Sequence, residues 1–283
     1  MISTVTVVYE PELQLLKTQA QSFDLYISRD AVGTILVVDN GEEKLDIDPA
    51  WWGKLSDKVV VVNREQIGYK SNPTINGRET QQICKILGSV YTNSDWSLWF
   101  DAKTFLVRTL DPATMFDNGK FITNQMPVFD QFSEGFTVCK DLLGFEQQDE
   151  MWIAPGGMPY PVNSKVLQTM LSYVKLTTNM SFVDWFEKYS QYPYFVTEMI
   201  LYSQFTRPVF DQYYTNTEPT YKCANLADWQ IPNINDFWRL LQDPEVLTAS
   251  IKADAYNLLD KDQLEVWHTF LKTKGLRYDH QGR

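Results

Sequence analysis

The chain has 283 residues, 44% of them apolar and 14% aromatic, which is enough for a sizeable core without disulfide or metal staples and unlike a disordered chain. Its formal net charge of −11 argues against an extended basic surface for nucleic acid, while leaving room for a local cationic cleft. No apolar run approaches the ~20 residues of a membrane span, the start reads as a strand rather than a charged leader, and Cys84, Cys139 and Cys223 are too scattered for a disulfide framework or zinc cluster, so a cytoplasmic protein with reduced thiols is expected.

The first hundred residues alternate short apolar runs with helical patterns, as in β-α-β units on a largely parallel sheet. Residues 5–9 (VTVVY) read as a strand, 11–28 as a helix, 34–39 (TILVVD) as a second strand and 59–63 (VVVVN) as a third. The unbroken valines of the third predict burial on both faces. Over 77–90, Ile83, Ile86, Leu87 and Val90 recur with a helical period and predict a stripe packed on the sheet, with Arg78, Gln82 and Lys85 on the opposite side. Residues 96–101 (WSLWFD) read as the fourth strand, and 105–108 as a short strand after a turn.

The second half has no long strand run and candidate helices near 164–174, 181–189, 195–205, 234–241 and 262–272. The change of character predicts two lobes packed as one unit, a donor lobe over 1–125 and a mainly helical acceptor lobe over 126–283.

Ligands of open α/β sheets bind beyond the carboxyl ends of the strands, near the point where strand order reverses. Tyr9, Asp39 and Asp101 each end a predicted strand. The same residue types also cap turns, so each of them taken alone is equally a turn residue.

The segments TVTVVYEPELQLLKTQAQSF, ILVVDN, GRETQQICKILGS and WSLWFDAKTFLVRTL together resemble an uncharacterised family, catalogued only as a domain of unknown function, of glycosyltransferase-like proteins with the GT-A fold. The resemblance implies an α/β protein with a Rossmann-type nucleotide-sugar binding sheet and a helical acceptor lobe. It implies a glycosyltransferase that moves a sugar from a nucleotide-sugar donor to a hydroxyl acceptor, carbohydrate or other small or lipid-linked molecule. It places Tyr9 and Asp39 beside the base and ribose, and Gln81, Gln82 and Lys85 on the donor, Lys85 against a phosphate. A solvated polar helix face is the alternative for these three.

WSLWFDAKT looks like the strand ending in the Asp-x-Asp motif of GT-A enzymes, whose two acids hold a divalent ion, Mn or Mg, against the diphosphate. Here Asp101 is followed by Lys103 where the second acid would stand. Three outcomes are open: a weakened metal site on Asp101 with other ligands, a lysine acting in place of the ion on the leaving diphosphate, or a catalytically silent nucleotide-sugar binding protein. The C-terminal stretch of many GT-A enzymes supplies a metal-binding histidine, which implicates His268, with His280 in the tail beyond it.

VTEMILYSQF is similar to the family's Ser/Thr-Glu segment with a tyrosine four residues on, here Thr197, Glu198 and Tyr202. The likeness implies Glu198 as the base that takes the acceptor's proton and Tyr202 beside the acceptor. MWIAPGGMPYPVNSK resembles a glycine-containing loop at the acceptor site, which implicates Trp152, Gly156, Gly157 and Tyr160. A hydroxylated base in DNA is a further acceptor class, with Lys165, Lys175 and Lys188 in its favour and the acidity of the chain against it.

Overall fold

The β-branched runs near the start of the chain lie side by side in a computed structural model that describes residues 2–277 except 71, 73, 124, 129, 147–149, 152–157, 218 and 220. They form β1 (Ile2–Val8), β2 (Ile35–Asp39) and β3 (Val59–Asn63), with β1 parallel to β2 and β2 parallel to β3. On its other flank β1 pairs in parallel with β4 (Trp96–Asp101). A strand from far along the chain, Tyr160–Asn163, adds antiparallel to β4. The strand order is therefore 160–163, β4, β1, β2, β3, and it reverses between β1 and β4. The chain is α/β, built on the mostly parallel sheet expected of a GT-A-like protein.

The connections follow from local sequence. Pro11 sits in the 3-10 turn Glu10–Glu12 that leads from β1 into α1 (Leu13–Tyr26), where its fixed φ suits a helix start. Asn76 caps α2 (Gly77–Tyr91), its side chain accepting from the backbone N–H of Arg78 and Glu79. Gly88 lets α2 approach the sheet closely, since a Cβ there would stand 3.1 Å from Leu36 and 3.2 Å from Val5.

β1 and β2 are buried along their whole length, as strands covered on both faces should be. β3 corrects the expectation drawn from its four valines. It is the last strand of its sheet, and Val60 is 39% exposed. A β-branched run favours strand geometry at an edge as much as in the middle, so the run alone does not report burial.

A second, smaller sheet adds strands to the second half, whose helices alone were expected from the pattern. β5 (Phe105–Leu106) pairs antiparallel with Val246–Ile251, which pairs in parallel with Lys222–Leu226. The run VLTASI is half small or polar residues and carries little β signal, yet all six are buried. Phe237, Trp267 and Phe270 are part of the apolar cluster behind this sheet.

The helices Ser164–Thr178, Phe182–Tyr189, Ile234–Leu241 and Lys261–Thr273 fall where the periodicity placed them. The helix expected over 195–205 begins later, at Glu198, because Phe195 is left-handed at φ +50° and Thr197 supplies the N-cap. Cys84, Cys139 and Cys223 are all free thiols. Among the described residues no helix is long and apolar enough to cross a membrane.

Candidate active site

The strands deliver Tyr9, Asp39 and Asp101 to one edge. Asp39 pairs in register with Val8, and Asp101 with Val7, so all three stand at the carboxyl ends of neighbouring strands. A cleft of about 690 Å³ opens there, lined among others by Tyr9, Leu13, Asn40, Arg64, Asn72 and Thr80. Tyr9 is 44% exposed beside it.

Asp39 faces an adjoining depression rather than this cleft, and its oxygens are engaged locally. Oδ1 accepts from the N–H of Gly41 and Oδ2 from that of Leu45, both at 2.9 Å, which closes the loop at the cleft's edge. Gly41 is needed in that loop, for a Cβ there would stand 2.6 Å from the carbonyl oxygen of Glu43.

A buried charge set lies beside the reversal point. α2 turns Gln82 and Lys85 inward at 7% and 3% exposure, so these two are withdrawn from solvent while Arg78, on the same side of the helix, is exposed. Lys85 Nζ is 2.7 Å from Asp101 Oδ1 and 3.7 Å from Glu198 Oε1. Lys103 Nζ is 3.3 Å from Asp101 Oδ2. The N–H of Glu198 donates to Gln82 Oε1 at 3.2 Å, which ties α2 to the start of the helix Glu198–Thr206. Gln81 is half-buried on the same helix as Gln82.

Gln19 of α1 holds the turn that carries Lys103. Its Nε2 donates to the carbonyls of Asp101, at 2.7 Å, and Thr104, at 2.9 Å, while its Oε1 accepts from the Thr6 hydroxyl. The Thr104 N–H closes the turn onto the Asp101 carbonyl at 2.9 Å.

The charges sustain one another. Burial works against the charge of Lys85, but Asp101 and Glu198 beside it outweigh burial and hold the ammonium above its ordinary value. Burial likewise opposes the Asp101 carboxylate, yet Lys85 and Lys103 hold it well below the usual range. Asp101 raises Lys103, and burial raises Glu198 against the pull of Lys85.

Glu12 joins this set without having been foreseen. Burial pushes its carboxyl up to about 7 against the pull of Lys103, and its Oε2 has no hydrogen-bond partner among the described residues. No motif marks it; its place in the first turn after a switch-point strand is the one signal in the sequence.

Between the carboxyl end of β4 and the second sheet lies a small cavity of about 140 Å³, lined by Asp101, Lys103, Thr104, Asn225, Ser250 and Lys252 among others. Of the expected acceptor residues, the two described ones, Tyr160 and Tyr202, do not reach a surface. Trp152, Gly156 and Gly157 lie outside the described residues, as does His280. Tyr160 is fully buried and stacked on Trp99, centroids 5.5 Å apart. Tyr202 is fully buried too, its hydroxyl accepting from the Asn163 N–H at 2.6 Å and bonded to the Tyr214 hydroxyl. His268 lines a separate surface depression with Leu264 and Lys272, its Nε2 3.3 Å from the Tyr256 hydroxyl. Among the described residues no three His, Cys, Asp or Glu side chains group to hold a metal ion.

A family model described as a family of unknown function, DUF6492, matches residues 3–236. No curated protein matches the chain. Among solved structures, the galactosyltransferase LgtC in complex with donor and acceptor sugar analogs overlaps at a TM-score of 0.44 and 14% identity, over 96% of this chain and 95% of that one. Mouse xyloside xylosyltransferase 1 in its apo form overlaps at 0.46 and 10% identity, over 90% and 99%. The glycosyltransferase GlyE of Streptococcus pneumoniae TIGR4 overlaps at 0.47 and 13% identity, over 99% of this chain and 65% of that one.

Proposed function

The chain belongs to the DUF6492 family, and we propose that it is a glycosyltransferase moving a sugar from a nucleotide-sugar donor to a hydroxyl acceptor. The observation that carries this is the placement along one sheet edge of a cleft at the ends of β1, β2 and β3 and, at the end of β4 where strand order reverses, of the largely buried set Lys85, Asp101, Lys103 and Glu198. The nucleotide lies along Tyr9, Arg64 and Thr80, with its diphosphate directed to the Asp101 turn.

In the reaction the bond between the anomeric carbon and the β-phosphate oxygen breaks, and its electron pair stays on the departing diphosphate. The acceptor's hydroxyl oxygen bonds to the anomeric carbon, and its proton passes to Glu198. Burial raises the proton affinity of Glu198 above that of an exposed glutamate, while Lys85 opposes the rise. A raised proton affinity is the direction that a general base requires.

The acceptor is a free hydroxyl compound rather than a duplex. The chain's formal net charge of −11 sets a polyphosphate backbone against like charge.

Incubation of the purified chain with UDP-, GDP-, CDP- and dTDP-sugars tests this. One donor class should raise the melting temperature and release nucleoside diphosphate, faster once an acceptor sugar is added. If no nucleotide sugar stabilises the protein and none is consumed, the proposal fails.

A further inference from the structure

A divalent ion in an Asp-x-Asp site takes about six oxygens at roughly 2.0–2.6 Å, and Asp101 is the sole carboxylate of the WSLWFDAKT segment. Both of its oxygens are already held, Oδ1 by Lys85 at 2.7 Å and Oδ2 by Lys103 at 3.3 Å. An ion within bonding reach of either oxygen would press against an ammonium group. His268, the other expected ligand, opens onto a different depression. The described residues do not fit a divalent metal.

They do fit an anion. The 140 Å³ cavity is lined by the ammonium-bearing Lys103 and Lys252, and its one carboxylate, Asp101, is paired with two lysines. Lys252 is exposed and makes no ion pair among the described residues. Asn225 takes the Ser250 hydroxyl on Oδ1 at 2.8 Å, which leaves its NH2 group to donate. Thr104 adds a hydroxyl at the same wall.

We propose that Lys103 and Lys252 bind the donor's diphosphate directly in this cavity, in place of a divalent ion, so that donor binding and transfer need no metal. This rests on the glycosyl-transfer assignment for the identity of its ligand. Lys85 is a positioning residue: it holds Asp101, which in turn fixes Lys103. When the sugar-phosphate bond breaks, the electron pair left on the β-phosphate oxygen is met by two ammonium groups, which form short charge-assisted hydrogen bonds to phosphate oxygens. Lysine serves here as a compact point charge.

The test is calorimetric titration of the full chain with inorganic pyrophosphate, UDP and GDP in excess chelator, repeated with Mn²⁺ or Mg²⁺. Pyrophosphate and one nucleoside diphosphate should bind in chelator, and added metal should not tighten them. Lys103→Ala and Lys252→Ala should each weaken binding by roughly tenfold or more, with melting curves confirming that both variants fold. Lys252 is exposed, so its variant keeps the question answerable if Lys103→Ala is unstable. Lys103→Asp, which restores an acid two residues after Asp101, should bind only when metal is supplied. Binding by the unaltered chain only with metal would overturn the proposal and leave glycosyl transfer standing. Unchanged affinity in both alanine variants, or orthophosphate bound as tightly as pyrophosphate, would overturn it as well. So would no binding of any diphosphate in either condition, in which case the nucleotide-sugar panel judges transfer separately.

Discussion

Lys103 folds back onto the acid two residues before it, placing its Nζ 3.3 Å from Oδ2 of Asp101. In extended chain, residues two apart point to the same side, but 101–104 is a closed turn, so the pairing is made by the turn. Lys85 reaches the other oxygen from α2. One carboxylate thus gathers two cations from separate parts of the chain.

Lys85→Met should be destabilising. Removing the ammonium leaves the buried Glu198 beside the half-buried Asp101 with Lys103 alone to balance them. Breaking a buried pair from one side costs about 3–5 kcal/mol. Urea denaturation measures it; a loss below about 1 kcal/mol, the level of an exposed pair, would show that solvent already screens the set.

Glu198→Gln should lower transfer by about 10² to 10⁴-fold, the usual contribution of a general base, and leave donor affinity nearly unchanged. The amide keeps the shape and the Gln82 contact, which runs through the backbone. A variant turning over at the unaltered rate would reduce Glu198 to a partner of Lys85.

Stability should fall with rising pH on account of Glu12. Its carboxyl binds a proton more tightly in the folded chain, at about 7 against an ordinary value of 4.5. Between those values the native state holds more protons than the unfolded one, so unfolding free energy declines as pH rises. The full effect is on the order of 3 kcal/mol, present below about pH 4.5 and lost through about pH 7. Melting curves at pH 5 and pH 8 should differ less for Glu12→Gln than for the unaltered chain; equal differences would place the titration elsewhere.

Tyr202→Phe should affect folding and not acceptor affinity. Its hydroxyl joins the Asn163 N–H to Tyr214 inside the core, and the change strands that N–H and leaves the Tyr214 hydroxyl only its 3.5 Å bond to the Pro161 carbonyl, at about 1–3 kcal/mol. A raised KM for acceptor with an unchanged melting temperature would return Tyr202 to the acceptor side.

The sequence displayed the sheet edge well because VTVVY, ILVVD and WSLWFD each end an apolar run with a polar group, and parallel register then aligns those ends. Gln82 and Lys85 were legible from helical spacing, although whether their face met water or protein depended on Glu198, more than a hundred residues away. Lys252 was hidden because it follows a strand too weakly patterned to recognise. Glu12 was hidden because a glutamate after proline looks like any helix start. Asp39 shows the opposite difficulty: its strand-end position is as expected, yet its oxygens serve Gly41 and Leu45, a use that only the loop's path discloses.

The Gln19 clamp on the 101–104 turn bears on the entropy of ligand capture. A free lysine side chain surrenders up to about 2 kcal/mol of rotamer freedom when it grips a ligand. Lys103 starts from a backbone fixed by three hydrogen bonds and a stem drawn onto Asp101, so much of that ordering is complete when the chain folds. An incoming anion therefore meets a preset charge, and little of its binding energy is diverted to arranging the hand that holds it.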